Sequence, residues 1–241
     1  MNDQRRPVAQ PLHRQIHGLL LERIEAGEWS PGTYLPSETR LATDYGVSVG
    51  TLRKALLDLA AEGVVVRRQG KGTVVASHDS DAVLFRFFNL RRADGSRVRP
   101  ESRVLRRHIC TATAEERAAL ALAPQERVVH IERVREADGT PIVHEDISLG
   151  CSRFEALART PAVLPNTLYQ LYQSEYGLTV HQAEEQVRAT SAGERTAELL
   201  GVAPGTPLLL IRRVARDYQG NAVEIRLSRV ATDAFPYVTN L

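Results

Sequence analysis

Residues 48–54 hold the chain's densest set of groups able to read a nucleic acid. A helix turns by about 100° per residue, so Gly50, Arg53, Lys54 and Leu57 share one face and Leu52, Leu56 and Leu59 the opposite one. Ser48 and Thr51 add hydroxyls at the N-terminal end, where free backbone N–H groups and the helix dipole favour a phosphate oxygen. Arg53 can grip a guanine edge with two hydrogen bonds, worth about 1–3 kcal/mol of discrimination. Lys54 suits a backbone phosphate. The window 48–72 also carries Arg67, Arg68 and Lys71 against only Asp58 and Glu62, and Lys54 and Lys71 are the only lysines in the chain. Taken alone, such a stretch reads more readily as an amphipathic surface helix with ordinary solvated charges.

A second set lies in a strand-like run. Arg133 and Arg135 are two residues apart, hence on one face of a strand, and Val129 and Ile131 share that face. Burying two guanidinium groups is costly unless an anion meets them. That anion is either Glu145, in a structural ion pair, or a bound carboxylate or phosphate. Thr167, at a helix start, is either a plain N-cap or a donor to the same anion. Tyr169 either walls a pocket or packs in a core. Glu145 and Glu224 can accept hydrogen bonds from ligand hydroxyls or an amine, and Glu224 is equally a surface strand charge.

Enzyme chemistry finds little support. There is no nucleophile elbow, no His-Glu-x-x-His and no cysteine–histidine metal spacing. Gly70-Lys71 lacks the Gly of a phosphate-binding loop five residues earlier, where Val65 stands. His144 beside Glu145 reads as a satisfied or exposed histidine, and His108, His130 and His181 are scattered, so neither a metal nor a cofactor is expected. Cys110 and Cys151 are the only cysteines of 241 residues, read as free thiols in a reducing cytoplasm. No apolar run reaches the ~18 residues of a membrane span, and the first residues lack the apolar stretch of a secretory signal. With 31 basic and 29 acidic residues, the net charge of +2 leaves only the local basic window to suggest a polyanionic partner.

These groups need elements to hold them. Ile16, Leu19, Leu20 and Ile24 fall at helical spacing from Leu12, and Gly27 ends that helix. Ser37 can cap a short helix through Asp44, with Leu41 and Ala42 inward. Ser48 is placed to cap a third, Val49–Glu62, with Gly63 beyond its C-terminus. Residues 64–68 and 73–75 then read as two short strands around Gln69-Gly70-Lys71-Gly72. Three helices and a small hairpin make a winged helix-turn-helix layout. Beyond a short polar stretch at residues 77–81, strand patterns occur at 83–90, 102–109, 128–135, 141–149, 179–190, 208–216 and 222–230. Three helices interrupt them, two with capping-box spacing at Thr113/Glu116 and Ser191/Glu194 and one over about 167–176. The second part is therefore α+β with a mostly antiparallel sheet. Ala123-Pro124 and Ala203-Pro204 each lead into a similar hairpin pattern, which is either a duplication or two hairpins patterned alike.

The stretches PLHRQI (11–16), IEAGEWSPGTYLPSE (24–38), LATDYGVS (41–48), TLRKAL (51–56) and EGVVVRRQGKGT (62–73) together resemble the GntR family of bacterial transcription regulators. The later stretches 131–146, 167–178 and 198–226 resemble the UTRA effector domain of its HutC-type branch, which has a chorismate-lyase-like fold. The resemblance implies a DNA-binding domain over residues 1–76, a linker over 77–83 and an effector-binding, dimerising domain over 84–241. It makes the helix after Ser48 the recognition helix and Gly70-Lys71-Gly72 the wing tip. The DNA-contacting set it implies is Ser37, Thr39, Ser48, Val49, Gly50, Thr51, Arg53, Lys54, Gln69, Gly70, Lys71 and Gly72. The effector set is Arg133, Arg135, Glu145, Thr167, Tyr169 and Glu224. Two departures stand out: the family usually has Arg where this chain has Val49, and often Arg where it has Thr39, which shifts affinity toward Arg53 and the wing. The stretch RVATDAFPY (229–237) also departs from the family pattern, at the outer wall of the effector pocket. The expected protein is a cytoplasmic homodimer that binds an inverted-repeat operator in double-stranded DNA and is released by a small anionic effector. An activator or a ligand-independent DNA-binding protein is the alternative.

Overall fold

The computed structural model describes residues 10–77, 88–160 and 163–239, which fall into two units, Met1–Ser77 and His78–Leu241. In the first, three apolar stripes close on one another. Helix α1 (Leu12–Glu25) buries Ile16, Leu20 and Ile24; α2 (Glu38–Asp44) buries Leu41 and Ala42; α3 (Val49–Ala61) buries Leu52, Ala55, Leu56 and Leu59. Full burial of each leucine is worth about 1.5–3 kcal/mol. Ser37 and Ser48 cap α2 and α3 by accepting from the backbone N–H of Arg40 and Thr51. After α3, Gly63 at φ +77° turns the chain into β1 (Val65–Arg68), which pairs antiparallel with β2 (Gly72–Val75). The result is a winged helix-turn-helix.

The second unit is one six-stranded sheet with helices on both faces. Its elements are β3 (Glu101–Thr111), α4 (Ala114–Ala119), β4 (Arg127–Ala137), β5 (Thr140–Gly150), α5 (Cys151–Arg159), α6 (Leu168–Tyr176), β6 (Gln182–Ser191), α7 (Glu194–Leu200), β7 (Pro207–Arg216) and β8 (Ala222–Val230). The strand order is β3-β4-β5-β8-β7-β6 and every pairing is antiparallel. The unit strand–helix–hairpin therefore occurs twice, as β3-α4-β4-β5 and β6-α7-β7-β8. The two halves meet at β5 and β8 in mirrored order. The likeness between the two hairpin sequences extends to the strand and helix in front of each.

One face of the sheet buries Val129, Ile131, Ile147 and Leu149 under Phe154 and Leu157 of α5 and Leu168, Tyr169 and Tyr172 of α6. Farther along the same face, Val143, Ile211 and Val230 pack with Leu90, Val98 and Phe235. Between these apolar clusters lies a band of buried charge.

The structure corrects the sequence reading of two elements of this unit. Helix α5 was not expected: it follows Gly150, an N-cap with no side chain to bond it, and buries only Phe154 and Leu157, too short a stripe to register as periodic. The box at Ser191/Glu194 does not form, because Ser191 still belongs to β6 and Gly193 precedes α7 as its N-cap. The strand expected over 83–90 falls largely on residues outside the described ones, as does the linker over 77–83; within it Leu90 makes one bridge, to Tyr237. The box at Thr113 does form, with Thr113 and Glu116 bonding each other's backbone N–H.

Candidate functional site

In the first unit, α3 shows solvent the face that the sequence assigned to it. Val49, Gly50, Arg53, Lys54 and Leu57 are exposed, as are Ser37, Thr39 and Ser48, while Thr51 is half-buried. Ser48 Oγ and Thr51 Oγ1 lie 2.8 Å apart, so the two hydroxyls form one polar lip at the start of α3. At the wing, Gln69, Gly70, Lys71 and Gly72 are all exposed. Gly70 (φ +71°) and Gly72 (φ +111°) hold left-handed backbone that a side chain would strain. The acids at the end of α3 point elsewhere: Glu62, its C-cap, meets His17 of α1 at 2.8 Å, and Asp58 lies 3.8 Å from His13. Arg53 does not stand free, since its Nε donates to Glu38 Oε2 at 2.9 Å. Glu38 closes one of the family-like stretches, IEAGEWSPGTYLPSE (24–38), but the sequence reading gives it no role.

In the second unit, strand alternation carries Arg133 and Arg135 of β4, Glu145 of β5, and Glu224, Arg226 and Ser228 of β8 onto one face. Glu145 Oε2 accepts from Arg133 Nε at 2.5 Å and Arg135 Nε at 3.2 Å; Oε1 accepts from Ser228 Oγ at 3.2 Å and lies 3.6 Å from Arg226 Nη1. Arg133 and Arg135 also donate to the Asn166 carbonyl at 3.4 and 3.3 Å. Asn166 is anchored by Ser102 Oγ (2.7 Å) and by its own bond to the Pro100 carbonyl (2.6 Å), which sets Thr167 and the start of α6. Glu224 has no exposed surface, so it is not a surface strand charge: it accepts from Tyr169 (3.0 Å), Tyr172 (2.8 Å) and Arg226 (2.8 Å). Arg213 of β7 is held by Glu185 of β6, Nε to Oε1 at 2.7 Å, and Tyr237 donates to the other Glu185 oxygen at 2.5 Å.

A pocket opens on this band. Arg135, Glu145, Arg213, Arg226, Ser228 and Thr167 form its polar side; Phe88, Leu90, Val143, Ile211, Val230, Tyr169 and Tyr237 form much of the rest. The Arg135 guanidinium lies 5.2 Å from the centre of the Phe88 ring. Thr167 lines the pocket without bonding α6 as a side-chain cap. Tyr169 does both things considered for it, packing in the core and walling the pocket. Arg133 and Glu224 lie beneath the lining rather than in it. Arg213, Arg226, Ser228, Phe88 and Tyr237 were missed. Arg213 was readable, because Leu209, Ile211 and Arg213 repeat the alternation of Val129, Ile131 and Arg133, and Arg226 shares the face of Glu224 by the same two-residue step.

Among the described residues, Arg133, Arg135, Arg213 and Arg226 face the carboxylates of Glu145, Glu185 and Glu224. Arg133 Nη2, Arg135 Nη1 and Arg226 Nε are buried without a hydrogen-bond partner among the described residues, an expensive condition for a charged donor. Burial, then the neighbouring Arg133, pulls the Arg135 guanidinium down to about 9, still charged at neutral pH. Burial pushes the Glu145 carboxyl up, yet Arg133, Arg135 and Arg226 together hold it well below its ordinary range.

The opposite face of the sheet carries a separate polar chain. His144 Nδ1 meets Thr196 Oγ1 at 3.0 Å, His108 packs on the edge of His130, and His130 and Arg229 bond Asp146 at 3.2 and 2.6 Å. No group of three metal-ligating side chains occurs among the described residues. Burial raises the Asp146 carboxyl, but the bonds from His130 and Arg229 bring it to about 2. An unfolded aspartate titrates near ~3.9, so this group's contribution is complete above about pH 4 and is lost as pH falls toward 2. With the side chain a quarter exposed, Asp146→Asn should reduce the acid-side loss of stability by about 1–2 kcal/mol, read from denaturant midpoints between pH 5 and 2.5.

Among the described residues, no helix is long and apolar enough to cross a membrane. The gntR family of bacterial regulatory proteins matches residues 12–75, and the UTRA domain matches residues 95–236. The histidine utilization repressor of Pseudomonas putida is 32% identical over 209 residues, 84% of this chain and 81% of that protein. The mannosyl-D-glycerate transport/metabolism system repressor MngR of Escherichia coli is 28% identical over 230 residues, 94% of each. Among solved structures, PhnF from Mycobacterium smegmatis aligns at a TM-score of 0.56 and 25% identity, covering 94% of this chain and 98% of that one. With a winged helix-turn-helix followed by a UTRA domain, the chain belongs to the GntR family of bacterial transcription regulators.

Proposed function

We propose that this protein is a ligand-responsive repressor: a homodimer that binds an inverted-repeat operator and is released when a small anionic metabolite enters the pocket of the sheet unit. The relatives named as repressors support the sign. The observation that carries the ligand class is the pair of buried donors without a partner among the described residues, Arg135 Nη1 and Arg226 Nε, on two side chains that line the pocket. An anion held by Arg135, Arg226 and Thr167 supplies the missing acceptor. The apolar side of the pocket takes the ligand's body. Two identical winged units suit a pseudo-palindromic site, because protein symmetry is mirrored in the DNA. A coupling of about 1–3 kcal/mol between effector and operator is enough for a useful switch.

The test is a melting-temperature screen of the full chain against sugar phosphates, organic acids, amino acids and phosphonates. A ligand specific for the folded state adds about 2.7 kcal/mol at a hundredfold excess over its Kd. The expected result is a hit that also weakens DNA binding. Arg135→Ala should abolish both effects while leaving ligand-free DNA affinity within about twofold, because the residue lies outside the DNA-reading unit. If no anion produces a shift, Arg135 belongs to a structural ion cluster and the protein is a ligand-independent regulator or responds to a neutral effector.

A further inference from the structure

Glu38 places a carboxylate on the surface that meets a polyanion. It is the first residue of α2, and its two oxygens join two other elements: Oε2 accepts from Arg53 Nε on α3 at 2.9 Å, and Oε1 accepts from Arg67 Nη2 on β1 at 2.7 Å. The carboxylate is 21% exposed, whereas Arg53 and Arg67 keep 56% and 41% of their side-chain surface in solvent. Among the described residues that line the groove between α2 and the wing, which include Arg67, Arg68 and Lys71, Glu38 is the only acidic one. The fold around it is held by the leucines beneath, and an exposed ion pair adds little to stability. A phosphate backbone approaching this groove meets a repulsion that the pair's stability does not account for.

We infer that Glu38 is a positioning residue that sets discrimination between operator and random DNA. Its bond to Nε leaves the two terminal nitrogens of Arg53 as a fork of fixed direction, the geometry that reads O6 and N7 of guanine. The same carboxylate ties down Arg67. Two cations that would otherwise pair with any phosphate are thereby withheld from it, and non-specific binding is almost wholly such pairing. Loose DNA is bound less tightly as a result, and a correctly placed guanine is bound in preference.

The experiment uses the full chain and two duplexes, the one most enriched by binding from a random-sequence pool and an unselected random duplex. Both are titrated across a salt series. Glu38→Gln keeps the shape and removes the charge. It should bind the random duplex several-fold tighter, with a salt slope steeper by roughly 0.9 for each arginine that turns to phosphate. The ratio of selected to random affinity should fall on the order of tenfold, the loss expected when one base contact is blurred. Glu38→Asp keeps the charge but is one methylene too short to reach both arginines. It should retain the weak random binding of the parent and still lose discrimination. Melting temperatures should stay close to the parent's in both variants. An unchanged ratio and slope would overturn the proposal. So would a parallel loss of both affinities with a lowered melting temperature, since that is the signature of a brace between α2, α3 and β1.

Discussion

Glu145→Gln should cost the sheet unit about 3–5 kcal/mol at neutral pH, the size expected when one partner of a buried ion cluster is removed. The substitution preserves volume, so no cavity contributes. What remains is Arg133, Arg135 and Arg226 around a neutral amide, in a site where Arg133 and Arg135 are 1% and 3% exposed. Removing a cation is a different experiment: Arg133→Ala leaves Glu145 with Arg135 and Arg226, and its cost is chiefly that of emptying a fully buried side chain. The acid side separates the cases further. Because Glu145 titrates well below an unfolded glutamate, its stabilisation is present above the unfolded value and disappears as pH falls through the folded one. The Gln variant lacks that acid-side loss. The unit can be followed by itself, since the single tryptophan, Trp29, lies in the first unit and five of the seven tyrosines lie in the second. Guanidine titration watched by near-UV dichroism then reports the sheet unit. Added anion should stabilise Glu145→Gln more than the parent, because the variant lacks one carboxylate that offsets its guanidinium groups. A cost below about 1 kcal/mol would mean that the guanidinium groups find other partners.

The winged unit was legible almost to the residue because its signals are local. Ser37 and Ser48 announce helix starts by type, Gly63 turns the chain into the wing, and the leucines of α3 repeat at the helical period. The sheet was legible as strands but not as a site. Strand period two gives a face to Arg133 and Arg135, and equally to Arg213 and Arg226, yet nothing local says which strands become neighbours, so nothing in the sequence joins the four into one site. The mirrored order β3-β4-β5-β8-β7-β6 brings them in. Glu38 was missed for a related reason. It reads as an ordinary acid in a first helical turn, and its partners stand 15 and 29 residues away. Helix α5 escaped because tertiary cover, rather than periodicity or a cap, holds it in place.

Arg53→Ala should weaken binding to the preferred duplex by about 1–3 kcal/mol, and the structure argues for the upper part of that range. One loss is the guanine contact. Another follows from Glu38, whose carboxylate then keeps only Arg67 and presents its charge to DNA. Affinity for random DNA should therefore fall as well, opposite in direction to the expected gain in Glu38→Gln. The contrast matters because both substitutions break the same 2.9 Å bond: a mere brace predicts the same sign for both, and a charge that withholds arginines predicts opposite signs. Lys54 gives the control. It faces the groove with His13, Arg14 and Asp58, where a phosphate contact is the available role. Lys54→Ala should weaken all duplexes alike and reduce the salt slope by about 0.9. Val49 makes the prediction sharper, since an exposed valine can touch a thymine methyl but donates nothing, leaving Arg53 as the one strong base-reading donor in the first turns of α3. Anisotropy titrations at fixed salt measure each case. Operator affinity within twofold of the parent after Arg53→Ala would remove α3 from the reading of sequence and leave the wing to carry it.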